Sequence, residues 1–256
     1  MVDKCCTVCK LSKPLESFRA RSDVKNGRRS ECKACQVEAI RTIQEKKRIE
    51  AKHFLGGACQ TCGYNRCLNA LDFHHVGDKE HTISKMYLNQ PLSKILQEVK
   101  KCMLLCANCH REHHAVHKPK NATAHLKATF AMMMADPGDV LRKCTGCKKD
   151  LPLRYFPTRM AQGKVVRRPT CKLCFSESVL KIIRDKRSWI KNLFGAKCEW
   201  CGYSTSLEAL DFHHRGAKDS AINRMCSQNG YNKILKEALK CELICANCHR
   251  ELHSRE

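Results

Sequence analysis

Apolar residues recur at helical spacing in two long, strongly basic windows. Ile40, Ile43, Ile49 and Phe54 stand among many lysines and arginines and predict a helix over Val37–Phe54; a matching window predicts another over Ser176–Phe194. Such helices suit either a phosphate backbone or plain solvent. Shorter amphipathic helices are expected at Leu92–Lys101, on Ile95, Leu96 and Val99, and at Asn232–Lys240, on Ile234, Leu235 and Leu239. Their apolar residues read as core. The run Ala70-Leu71-Asp72-Phe73-His74-His75 reads as an extended segment, and so does Ala209-Leu210-Asp211-Phe212-His213-His214. Helices are expected to begin just after Cys109 and Cys248. Between the halves, Ala124–Ala135 predicts a short helix whose Met132, Met133 and Met134 suit core filling or docking; Pro119 and the turn signal Asp136-Pro137-Gly138-Asp139 bracket it.

These windows match because the chain is a duplication. Cys59, Cys62, Asp72, His74, Cys106 and His110 each recur 139 residues later, as Cys198, Cys201, Asp211, His213, Cys245 and His249. The offset holds from Cys32/Cys171 to His114/His253. Upstream, Cys6 and Cys9 match Cys144 and Cys147 at an offset of 138, so one residue was gained in between. The expected organisation is a first repeat over 1–118, a linker over 119–139 and a second repeat over 140–256.

Composition then changes the picture. Aromatic residues make up only 6% of the chain, which is thin for building cores, and 21 cysteines are the candidate staples. The chain opens Met-Val-Asp-Lys-Cys-Cys without an apolar run. We therefore expect no signal peptide, no membrane span, and an intracellular, reducing compartment such as cytoplasm or nucleus, not secretion. In that setting metal is preferred over disulfide. A formal charge of +23 points to a polyanionic partner, nucleic acid being the commonest, over a merely solubilising surface.

Sixteen cysteines fall into eight Cys-x-x-Cys pairs, each of which sets two thiolates about one tetrahedral edge apart. The most economical pairing is consecutive. Cys6, Cys9, Cys32 and Cys35 would form one structural zinc site; Cys59, Cys62, Cys106 and Cys109 a second; Cys144, Cys147, Cys171 and Cys174 a third; Cys198, Cys201, Cys245 and Cys248 a fourth. Spacing alone leaves crossed pairing open, and Cys5 stands as an alternative to Cys6. Gly63 and Gly202 would let the knuckle turn tightly and donate N–H groups toward sulfur. Of the remaining cysteines, Cys102 and Cys241 read as buried thiols.

With cysteine filling the structural sites, the repeated histidines need separate work. His74 and His75 are neighbours on a strand and face opposite ways, as do His213 and His214. His110 and His114 share a helical face, as do His249 and His253. Asp-Phe-His-His, followed by Leu-Leu-Cys-Ala-Asn-Cys-His-Arg-Glu-x-His, resembles the HNH nuclease family with its ββα-metal fold; the second half carries the same pattern. The likeness covers 59–114 and 198–253. More loosely, 5–35 and 143–174, with Lys13-Pro14-Leu15-x-x-Phe18, resemble the accessory zinc module of some restriction and phage-type HNH enzymes.

The resemblance implies an α+β fold of small zinc-stabilised modules. Each repeat would hold a four-cysteine module (5–35, 143–174), a bridging helix (36–55, 175–194) and a ββα-metal nuclease module (56–118, 195–256). It implies that His74, His110, His213 and His249 hold a catalytic Mg2+ or similar divalent ion in each repeat, with His114 and His253 as ligands or supports. His75 and His214 would be the general bases. The family's central asparagine falls on Lys101 and Lys240, so we assign Asp72 and Asp211 as orienting carboxylates, from their place two residues before His74 and His213. The expected activity is hydrolysis of double-stranded DNA by a monomeric pseudo-dimer, leaving 5′-phosphate and 3′-hydroxyl ends, as in homing or restriction endonucleases. The alternatives are a non-catalytic zinc protein that binds DNA or RNA, and a disulfide-rich secreted protein.

Overall fold

A computed structural model describes residues 3–23, 27–117 and 139–254. The expected Ala124–Ala135 helix and nearly all of the 119–139 linker lie outside the described residues. The fold is mixed α+β, made of helices and two-stranded antiparallel sheets. Contacts divide it into Met1–Ala107 and Asn108–Glu256.

The first unit opens with two hairpins, β1 (Asp3–Cys5) with β2 (Ser12–Pro14) and β3 (Phe18–Ala20) with β4 (Arg28–Cys32). Helix α1 (Lys33–Phe54) follows directly. It starts four residues before the position expected from periodicity, because Cys32 is its N-cap and Cys35 lies in its first turn. A thiolate pair straddling a helix start is not an apolar signal, so periodicity is blind to it. Ile40, Ile43, Ile49 and Phe54 are all exposed; the buried residues near the end of α1 are Ala51 and Lys52. Lys52 Nζ donates to Leu68 O at 2.7 Å, which lets an ammonium sit inside.

After α1 comes β5 (Leu71–His75), then α2 (Ile83–Asn89), α3 (Leu92–Val99) and β6 (Cys102–Cys106), which pairs antiparallel with β5. Ile83, Met86, Tyr87, Ile95 and Val99 form the core against α1. Neither α2 nor its later counterpart was foreseen, since a seven-residue helix gives too few apolar repeats to show a period. Helix α4 (Ala107–His117) runs straight on from β6. The unit division falls at its first residue, and the boundary expected at 118 lies just past its other end.

The second unit takes up α4 and continues with hairpins β7 (Leu141–Lys143) with β8 (Asp150–Pro152) and β9 (Thr158–Ala161) with β10 (Lys164–Arg167). Next come α5 (Lys172–Leu193), β11 (Leu210–His214), α6 (Ile222–Gln228), α7 (Tyr231–Ala238), β12 (Cys241–Cys245) and α8 (Ala246–His253). Ile190, Ile222, Met225, Cys226 and Ile234 make its helical core. Leu239, expected in the core, is 69% exposed: it caps α7 and points away from the face that Ile234 buries. Among the described residues no helix is long and apolar enough to cross a membrane.

The knuckles differ in one backbone detail. Gly63 and Gly202 take φ of +72° and +73°, each donating its N–H to the carbonyl of the first cysteine of its pair, not to sulfur. In the other two modules the same left-handed position holds Lys10 and Lys148, at φ +59° and +61°. A side chain costs free energy there. Lys10→Gly and Lys148→Gly should each stabilise the zinc-loaded protein by about 0.5–1 kcal/mol, read as a higher urea midpoint.

Candidate metal centres and the paired histidines

Each cysteine quartet joins one pair in a short turn to a second pair that straddles the start of a helix. Cys6, Cys9, Cys32 and Cys35 form one group, and the three others are Cys59–Cys62–Cys106–Cys109, Cys144–Cys147–Cys171–Cys174 and Cys198–Cys201–Cys245–Cys248. Consecutive pairing therefore holds in all four. Sulfur–sulfur distances are 3.8 Å for Cys6–Cys35, 3.5 Å for Cys32–Cys35, and 3.7 Å for both Cys62–Cys106 and Cys201–Cys245. A zinc–sulfur bond of about 2.3 Å gives a tetrahedral edge of about 3.8 Å, so the quartets fit four zinc ions. A disulfide would need about 2.0 Å.

Backbone N–H groups aim at the sulfurs: Cys32 N donates to Cys6 Sγ at 3.3 Å and Cys171 N to Cys144 Sγ at 3.2 Å. The Cys32 N–H draws the Cys6 thiol down to about 6. At Cys144 burial pushes upward, but the N–H groups of Cys171 and Cys147 prevail and bring it to about 6 as well. Cys5 is exposed and outside its quartet. Cys102 and Cys241 are buried, donate to the carbonyls of Glu98 and Glu237, and are pushed up to about 11, chiefly by burial. They are packed thiols, as expected.

Strand alternation then sorts the histidines. On β11, His213 faces α8, where its ring centroid lies 5.3 Å from that of His249 and 5.5 Å from that of His253; His249 and His253 are 5.0 Å apart. In the first half, the ring nitrogens of His74, His110 and His114 form one group, all within 4.8 Å of one another. Nε2 of His110 and Nε2 of His114 stand 3.1 Å apart. Two imidazole acceptors converging so closely fit the edge of a metal's ligand shell, which is about 3.3 Å for metal–nitrogen bonds near 2.0 Å. Asp211 Oδ2 meets His249 Nδ1 at 3.3 Å, which leaves Nε2 for an ion, and an ion pair with Arg111 at 2.8 Å fixes the carboxylate in turn. Arg111 and His249 hold the Asp211 carboxyl down at about 2 against the upward push of burial. Such a set favours a divalent ion that accepts imidazole; Mg2+, which takes oxygen ligands, is the poorer fit.

His75 and His214 point the other way, into a different network. His75 Nε2 lies 3.1 Å from Glu98 Oε1, and His214 Nε2 lies 2.9 Å from Glu237 Oε1. Both glutamate side chains are only 3% exposed. The N–H groups of Glu80 and His81 donate to Glu98, and those of Asp219 and Ser220 to Glu237. Lys101 and Lys240 reach the second carboxylate oxygen at 3.3 and 2.8 Å. The His81 N–H, with Lys101 and His75, draws Glu98 down to about 2; Lys240, with the two N–H groups and His214, does the same to Glu237.

The carboxylate that meets His214 is thus Glu237, and the one that meets His75 is Glu98, while Asp211 meets His249. A residue two before His213 shares the face of His213 and cannot reach His214 on the opposite face. Lys101 and Lys240 hold these glutamates. The sequence signal that marks the glutamates is their own repeat at 139 residues, three positions before the paired lysines.

Asn108 and Asn247 take a structural part. Asn108 N donates to Asn247 Oδ1 and Asn247 N to Asn108 Oδ1, both at 3.1 Å, so each buried side chain caps the start of the other's helix. Comparison with family models, with curated proteins and with solved structures finds no match to this chain.

Proposed function

We propose that this chain is a metal-dependent endonuclease of the HNH, ββα-metal kind, built as a tandem repeat that cuts both strands of duplex DNA as a single-chain pseudo-dimer. The observation that carries this reading is the division of labour between adjacent histidines. His213 gathers with His249 and His253, while His214 turns to a buried, lysine-braced glutamate. A purely structural zinc protein has no use for a histidine held in that way. The charge of +23 supplies the attraction to a polyanion.

His74, His110 and His114 would hold a divalent ion in one half, and His213, His249 and His253 would hold one in the other. Such an ion supplies charge stabilisation for the scissile phosphate and the departing 3′ oxygen. Nε2–H of His75 or His214 donates to its glutamate, so Nδ1 carries the lone pair that takes a proton from the attacking water. The glutamate stays ionised and favours the imidazolium that results, as the carboxylate of a catalytic triad does. Products carry 5′-phosphate and 3′-hydroxyl ends. Because the halves differ in sequence, the recognised DNA site is asymmetric.

Supercoiled plasmid tests the scheme. The zinc-loaded protein should linearise it with Mn2+ or Ni2+, and more slowly with Mg2+. His75→Ala or His214→Ala alone should leave nicked circles and lose the linear product. Full double-strand cutting by both single variants would refute the scheme. Salt-dependent binding without cleavage under any divalent ion would instead make the chain a non-catalytic nucleic-acid-binding zinc protein.

A further inference from the structure

Within the second unit, α4 and α5 line a groove of about 520 Å3. One wall carries His110 and His114, two of the grouped histidines of the first half. The other carries Arg184 and Arg187 of α5, one helical turn apart and exposed. Neither arginine makes an ion pair among the described residues, and Arg187 donates one hydrogen bond, to the Asn223 carbonyl at 3.4 Å. The neighbouring cations are already engaged: Arg111 pairs with Asp211, and Lys191 is buried with its Nζ on Leu207 O at 2.6 Å. Of the exposed acids lining the groove, Asp185 pairs with Lys181 at 3.9 Å, and Glu208 makes no ion pair among the described residues. The groove therefore offers two unneutralised guanidinium groups beside a histidine pair.

The other half is built differently. The positions equivalent to Arg184 and Arg187 are Glu45 and Arg48 on α1, and these two pair with each other. The long helix of the second half thus presents free positive charge where that of the first half is self-neutralised.

We propose that Arg184 and Arg187 bind the phosphodiester backbone of the strand lying at His110 and His114, so that α5 of the second half positions the strand for the first half's site. This rests on the endonuclease reading above. The occupant is a nucleic-acid backbone because the cations are arginines at one-turn spacing, suited to successive phosphate oxygens, and because the groove opens onto the histidines. The arrangement also makes the two strands unequal: one is gripped by α5, and α1 offers no such grip to the other.

Arg184→Ala/Arg187→Ala in the full, zinc-loaded chain tests it, and two exposed positions leave the fold intact. The first measurement is binding to a duplex oligonucleotide across a salt series, without added divalent ion. The slope of log affinity against log salt should become shallower by about 2. An unchanged slope overturns the proposal, whether or not the chain cleaves DNA. The second measurement is plasmid nicking in two backgrounds. With His214→Ala, where only the first-half site works, the arginine variant should nick on the order of tenfold more slowly. With His75→Ala, where only the second-half site works, its rate should stay within about twofold. Equal losses in both backgrounds would overturn the assignment to one strand. If no background nicks DNA, the endonuclease reading fails by itself and the salt slope still decides the groove.

Discussion

Stripping zinc from the protein should release about four equivalents of metal and collapse both hairpin modules. Each module's core is one phenylalanine surrounded by ligands: Phe18 with Cys6 and Cys32, and Phe156 with Cys144 and Cys171. Fully burying a single phenylalanine is worth about 1.5–3 kcal/mol, far less than the backbone entropy of ordering some thirty residues. A structural zinc contributes about 10–16 kcal/mol, so the metal decides whether these modules fold. The helical cores around Ile95 and Ile234 contain no zinc ligands and should keep part of the far-UV helix signal. Acid should act like a chelator. Protons compete with zinc for the thiolates, so zinc affinity and the stability that depends on it fall as pH falls. A zinc indicator and circular dichroism read both effects. Chelation that leaves the spectrum unchanged, or a zinc-free protein with few free thiols, would sink this account.

The parts of the fold legible in the sequence are those set by fixed spacing. Eight repeated Cys-x-x-Cys pairs mark all sixteen ligands and make consecutive pairing the most economical, because thiolates must sit about one tetrahedral edge apart whatever surrounds them. The long helices, and the strands ending in His74-His75 and His213-His214, follow from period and alternation. What escapes is anything set by tertiary contact. Glu98 sits in a helix whose charged residues look like a solvated face, yet it is buried, because Lys101, two backbone N–H groups and His75 converge on it. The isoleucines of α1 show a real helical period and yet stay exposed.

The same contrast explains the carboxylates. Asp72 and Asp211 stand out because they lie two residues from a histidine, and proximity along a strand suggests partnership. The alternation that separates His213 from His214 also separates Asp211 from His214. Asp211 thus serves His249, while the carboxylate of His214 comes from a helix 23 residues away in sequence.

Replacing both paired histidines on the glutamate side should abolish cutting while sparing structure. In His75→Ala/His214→Ala, the cysteine quartets and both histidine trios are untouched. Each glutamate keeps its lysine and its two backbone N–H donors, so no buried charge is stranded. Loss of a general base should lower the cleavage rate by about 10²–10⁴-fold, with DNA affinity and zinc content unchanged. Glu98→Gln/Glu237→Gln should cost less, about 10–100-fold, because the imidazoles remain and lose only an ionised partner. With both glutamates at about 2, their carboxylates stay charged down to strongly acidic pH. Wild-type activity should therefore show no step from these groups above pH 4. A Gln variant that lost zinc or DNA affinity along with its rate would mark the glutamates as structural only. A His75→Ala/His214→Ala protein that still cut at the wild-type rate would place the proton transfer elsewhere.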